Sequence, residues 1–118
     1  MIFIDKNESA KVLFNDFYTN NGKLIVNRRF VKRAGLCEAV IFTELMQQEI
    51  DAEEAGEIYD EDWFSCEQKK ITDDIGLSVE EQKLVIEKMI KLKMIETTEN
   101  FEGDLFFKLN YGFFETDK

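Results

Sequence analysis

Four bases, Arg28, Arg29, Lys32 and Arg33, fall within six consecutive positions, and Lys23 precedes them. They are the only clustered cations in the chain, and cations this close together suit a run of phosphates or an acidic protein face. The carboxylates cluster too. Between residues 36 and 67 there are eleven acids and no base. Asp60-Glu61-Asp62 and Asp73-Asp74 have the oxygen chemistry for a divalent cation. They lack the spacing, the Gly and the final Glu of a calcium loop, and read as solvated charge. The sequence has no His, which removes the usual general base and the commonest zinc ligand. Cys37 and Cys66 stand far apart without a CxxC partner and read as two free thiols. No glycine-rich phosphate loop, HExxH or GxSxG is present. The residues therefore point to binding rather than catalysis, with no cofactor and no metal.

The elements that must position these groups fit within 118 residues, the size of one domain. The chain is 44% apolar and 13% aromatic, enough for one modest core. Its net charge of −10 is uneven: +4 over residues 1–35, −11 over 36–67, +1 over 68–95 and −4 over 96–118. Adjacent blocks of opposite sign suit oriented electrostatic contacts, including contacts between copies. No apolar run approaches the roughly 20 residues of a membrane span. The opening Met-Ile-Phe-Ile-Asp acquires acid too early for a secretory signal. The expectation is a cytoplasmic protein with no membrane partner.

Hydrophobic period and turn residues give the order of elements. Residues 2–4 read as a strand. Lys11–Phe17 and Lys23–Val26 read as a hairpin around Asn20-Asn21-Gly22. Asn27 caps a short helix that ends at a left-handed Gly35. A helix from about Leu36 to Glu53 is apolar on more than one face and belongs in the middle of the domain. After an acidic loop, Ser65-Cys66-Glu67-Gln68 and Ser78-Val79-Glu80-Glu81 each read as a capping box. The first helix stops at Gly76 and the second runs from Val79 to about Lys93. Met94–Thr98 and Leu105–Asn110 pair as a hairpin around Gly103. Helix, tight turn, helix and hairpin predict an α+β fold, a winged helix-turn-helix with an N-terminal β-hairpin extension. One domain spans residues 1–110, and 111–118 is a tail.

The stretch Trp63-Phe64, the turn Ile75-Gly76-Leu77-Ser78, the helix Val79–Lys93 and the step Lys93-Met94-Ile95 resemble the winged-helix domain of DnaD-like replisome organisers and replication initiators of Gram-positive phages and plasmids. The upstream LIVNRRFVKRAGLCEAVIFTELMQQ resembles that family's first helical pair. The resemblance covers about residues 23–110. It implies a DNA-replication role, self-association and no active site. Family members often carry a further C-terminal domain, so this sequence is either part of a longer chain or a small stand-alone relative.

The side chains qualify that implication. On a wheel of about 100° per residue, Val85, Met89 and Leu92, flanked by Ile86, Ile90 and Val79, form the buried arc of the second helix. Glu80, Glu81, Lys83, Leu84, Glu87, Lys88 and Lys91 face outward, with Gln82 in the first exposed turn. That face is neutral and its first turn is anionic, where family members carry bases. Leu84 at its centre suits a protein contact. The wing tip holds Phe101 among Glu99, Glu102 and Asp104, also without a base. The expected nucleic-acid contacts are Arg28, Arg29, Lys32, Arg33 and Lys83, and the expected protein contacts are Leu84 and Phe101. Trp63 and Phe64 are expected to anchor the wing to the core. The expected function is a non-enzymatic, oligomeric winged-helix module of replication initiation that binds DNA, replication proteins or both. The alternatives are a winged-helix transcriptional regulator and an acidic phage protein that antagonises a host protein.

Overall fold

A computed structural model describes residues 24–114. The strands expected at residues 2–4 and 11–17, the turn at 20–22, and Lys23 lie outside the described residues. Leu24–Val26, expected to be a strand, is irregular. The Asn27 side chain then accepts the Arg29 N–H at 2.8 Å and starts helix α1, Arg28–Ala34. Gly35 ends α1 and begins α2, Leu36–Ala55. Its N–H donates to the Val31 carbonyl at 2.8 Å, and its own carbonyl accepts the Ala39 N–H at 2.9 Å. The backbone there is not the expected left-handed helical turn. With φ 108° and ψ 160° it lies in a region open essentially to glycine alone.

Helix α2 crosses the middle of the domain, and its buried residues cover more than half of its circumference. Ala39, Ile41, Phe42 and Leu45 are fully buried, at the i, i+3 and i+4 intervals that share a helix side. The expectation of burial on more than one face does not hold at Leu36 and Ile50, which are exposed. Three polar residues, Glu38, Glu44 and Gln48, complete the buried surface instead.

Strand β1 (Phe64–Ser65), helix α3 (Gln68–Ile75) and helix α4 (Val79–Lys91) follow. Ser65 does not cap α3. It pairs with Phe106 in the sheet, and α3 starts from Glu67 with no side-chain cap bond. The second capping box does form: Ser78 Oγ accepts the Glu81 N–H at 3.1 Å, and the Glu81 carboxylate accepts the Ser78 N–H at 3.0 Å. Between α3 and α4, Gly76 takes the left-handed turn with φ 79°.

The Gln82 amide fastens that turn. Its Nε2 shares two hydrogens among three acceptors, the carbonyls of Gln68 and Leu77, both at 2.9 Å, and Thr72 Oγ1 at 2.8 Å. Gln82 is thus fully buried, not in an exposed turn. The buried arc of α4 runs through Gln82, Ile86 and Met89, leaving Val79, Ile90 and Leu92 exposed.

Strands β2 (Ile95–Glu99) and β3 (Leu105–Leu109) form the hairpin. The antiparallel sheet has the order β1-β3-β2. Phe64 faces Phe107, and Thr97 faces Phe107 from the other side. Strand alternation puts these on the core face, together with Ile95 and Leu109. Each fully buried Phe contributes about 1.5–3 kcal/mol. Lys93 enters the hairpin in the left-handed region with φ 64°. Asn110 Nδ2 donates to its carbonyl at 2.7 Å, and Asn110 N–H donates to the Met94 carbonyl at 2.9 Å.

The first four residues of the segment read as a tail form a 3-10 turn, Tyr111–Phe114. Phe114 stacks on Phe30 of α1 at 3.9 Å and meets Phe42 of α2 edge-on at 4.9 Å. The described residues therefore make a mixed α+β fold of four helices, a 3-10 turn and a small three-stranded sheet.

Candidate functional site

The four clustered bases are not equivalent. All sit on the exposed side of α1. Arg33, however, is directed into its own chain: its Nε donates to the Phe113 carbonyl at 2.7 Å, and its guanidinium lies 4.8 Å from the centre of the Phe113 ring. That is a cation–π contact closing the 3-10 turn onto α1. Arg28, Arg29 and Lys32 remain exposed around it, while Lys83 is on α4, a separate element.

Helix α4 presents the face that its sequence suggests, with two changes. Glu80, Glu81, Lys83 and Glu87 are exposed, and Leu84 is 71% exposed at the centre. The Glu81 carboxyl is held below its ordinary range because it accepts hydrogen bonds from Ser78. It stays ionised as the acid counterpart of the helix N-terminus. Gln82 leaves this face for the core, as described. Lys88 reaches back 3.3 Å to the buried Glu38 of α2, which ties its charge to the fold.

The wing tip is built by one side chain. Asn100 Oδ1 accepts the N–H groups of Glu102 at 3.0 Å and Asp104 at 2.9 Å, and its Nδ2 donates to Asp104 at 3.1 Å. This ordered turn holds Phe101 fully exposed among Glu99, Glu102 and Asp104.

A groove with no signal in the linear sequence opens on the outer face of the sheet. Its volume is about 250 Å³, and Tyr59, Asp60, Trp63, Thr98, Glu99, Asn100 and Phe106 line it. Trp63 and Phe106 alternate with the core residues Phe64 and Phe107, which places them on the opposite face. Tyr59 and Trp63 exchange two backbone hydrogen bonds, at 2.7 and 2.8 Å. The acidic loop closes between them with Asp60 and Glu61 in the left-handed region, φ 46° and 76°. Tyr59 meets Phe106 edge-on at 5.7 Å. Trp63 is only half-buried, so Phe64 alone of the aromatic pair sits in the core.

A second polar group lies between α2 and α3. Gln48 Nε2 donates to Glu44 at 2.7 Å and approaches Asp74 at 3.4 Å, and Lys70 lies 3.4 Å from Asp74. Burial, reinforced by the hydrogen bond with Asp74, pushes the Glu44 carboxyl up to about 7. Asp74 is held down, chiefly by that same bond. The neighbouring Cys66 thiol is pushed up to about 12, by burial first and then by the Glu44 charge.

A carboxyl whose pKa is higher in the folded state binds its proton more tightly there. Its stabilisation is full below its unfolded value near 4.5 and is lost as pH rises through about 7. The loss is on the order of 3 kcal/mol. Asp74 acts in a separate window, losing its contribution only below the ordinary carboxylate range. Glu44→Gln keeps a donor toward Asp74 and is expected to remove the downward slope of stability with pH. Urea denaturation at about pH 5 and pH 8 measures it. An unchanged slope in the variant would refute the assignment.

Among the described residues, no group of three His, Cys, Asp or Glu side chains could hold a metal ion. Among them too, no helix is long and apolar enough to cross a membrane. Compared with known protein families, curated proteins and solved structures, the chain matches none, so its own side chains carry the functional reading.

Proposed function

We propose that the chain is a non-enzymatic winged helix-turn-helix module, of the kind used in phage- and plasmid-type DNA replication initiation, that acts through protein contacts of α4 and the wing. The order helix, tight turn, helix and hairpin supports the winged-helix reading. The exposed surface of α4 and the wing carries the choice of protein over duplex. The leading turn of α4 is anionic, Leu84 stands bare at the centre of its face, and the wing tip offers Phe101 among carboxylates. Duplex binding works by cations releasing counterions from phosphates, and these surfaces carry too few. The protein partners are replication proteins and a second copy of the chain.

Fluorescence anisotropy with single- and double-stranded DNA across salt tests the choice. Weak binding at low salt is expected, confined to the α1 cations. Arg28→Ala/Arg29→Ala/Lys32→Ala should lower it by about tenfold or more, while Lys83→Ala should leave it nearly unchanged. Tight duplex binding that depends on Lys83 would overturn the reading in favour of a DNA-reading regulator. Light scattering in parallel should show concentration-dependent mass that Leu84→Glu/Phe101→Ser removes.

A further inference from the structure

The groove on the outer face of the sheet is not used by α4 or the wing tip, and its lining has a definite chemistry. Three aromatic residues, Tyr59, Trp63 and Phe106, line it together with Asp60 of the acidic loop, whereas Glu99, opposite Leu105 in the sheet, alternates to the core face and borders the groove at its backbone position. No Lys or Arg lines it. Its loop adds Glu61 and Asp62, so the loop side of the opening is acidic. Exposed aromatic faces attract cations through the ring quadrupole. A carboxylate beside those faces matches a planar guanidinium, which can stack and donate paired hydrogen bonds at once, better than a compact ammonium. The volume of about 250 Å³ admits one side chain with its aliphatic stem, not a folded element.

From this geometry we infer that the groove binds an arginine side chain presented by an exposed segment of a partner protein. The guanidinium lies against Trp63 and Phe106 and pairs with Asp60, and its stem covers the Tyr59 ring. The site is independent of the reading of α4. It can fail while the DNA titration succeeds, and the reverse.

Trp63 is the only tryptophan of the chain, so intrinsic fluorescence reports on the groove directly. The probe is acetyl-Gly-Arg-Gly-amide, titrated against the full chain at constant ionic strength, with the citrulline analogue as its uncharged isostere. A saturable change with the arginine peptide in the millimolar range is expected, and no saturable change with citrulline. Asp60→Asn should weaken the arginine response by about tenfold. Phe106→Leu keeps an apolar side chain in place but removes the ring, and should weaken it several-fold. Circular dichroism confirms that each variant is folded. The absence of a saturable arginine response, an equal response to citrulline, or unchanged affinity in both variants would overturn the site.

Discussion

Phe64→Ala is expected to destabilise the protein by about 3–5 kcal/mol, while Trp63→Ala costs about 1 kcal/mol or less. The two rings are neighbours in the chain and opposite in environment. Phe64 is fully buried, lies 6.1 Å from the Phe107 ring and joins α2, the sheet and Ile71 in one core. Deleting it removes transfer energy and leaves a cavity that a sheet edge of two residues is poorly placed to fill. Trp63 is half-buried on the other face, where its loss widens a groove that already meets solvent. Urea denaturation of both variants checks the contrast, and equal losses would show that Trp63 belongs to the core after all. As a size comparison, a domain of this length has a total stability of about 5–15 kcal/mol. Phe64→Ala therefore approaches global unfolding, and Trp63→Ala leaves a folded protein for binding work.

A second large effect is expected at Gly35, where alanine should cost about 2–4 kcal/mol. Two independent terms add. The backbone at φ 108° and ψ 160° is closed to residues with a Cβ. The added methyl would also collide with Glu38 Oε1. Glu38 is buried and paired with Lys88 at 3.3 Å, so pushing it aside disturbs the link between α2 and α4. The double variant Gly35→Ala/Glu38→Ala separates the terms. It relieves the collision and leaves the backbone strain, and thermal melts that show no difference between it and Gly35→Ala would discard the steric part.

The parts of the fold legible in the sequence are those set by local chemistry. The Asn27 cap, the Ser78–Glu81 capping box, the stop at Gly76 and the hairpin around Gly103 each depend on a few adjacent residues, and each was readable. What escaped depends on partners distant in the chain. Ser65 had the chemistry of a cap, but strand pairing with Phe106 took it into the sheet. Gln82 looked like a surface residue because a helical wheel sees only its own helix. The acceptors that bury it, Gln68, Thr72 and Leu77, belong to α3 and the turn. Glu44 read as one acid in a long acidic stretch, and only packing of α2 against α3 gives it Asp74 as a neighbour. The exposed candidates fared better: Leu84 and Phe101 stand in solvent as expected, since exposure on a polar face follows from pattern alone. The groove had no signal of its own, because Tyr59 and Trp63 meet Phe106 only across the sheet.

The clasp between α1 and the 3-10 turn has a consequence for the order of folding. Arg33 and Phe113 are 80 positions apart, whereas the Gln82 bonds span 5 to 14 positions. Closing a longer loop costs more chain entropy before any contact rewards it. The α3–α4 pair and the hairpin can therefore assemble from nearby chain, and the Phe30–Phe114 stack and the Arg33 contact are added once that frame stands. The same asymmetry runs backwards on unfolding. Release of the 3-10 turn leaves the sheet and the helix pair in place, so the clasp is a unit of low local stability, opening on its own ahead of the core. Amide hydrogens at its edge, such as that of Phe113 bonded to the Asn110 carbonyl at 3.2 Å, then exchange with solvent well before those of Phe107 at the centre of the sheet.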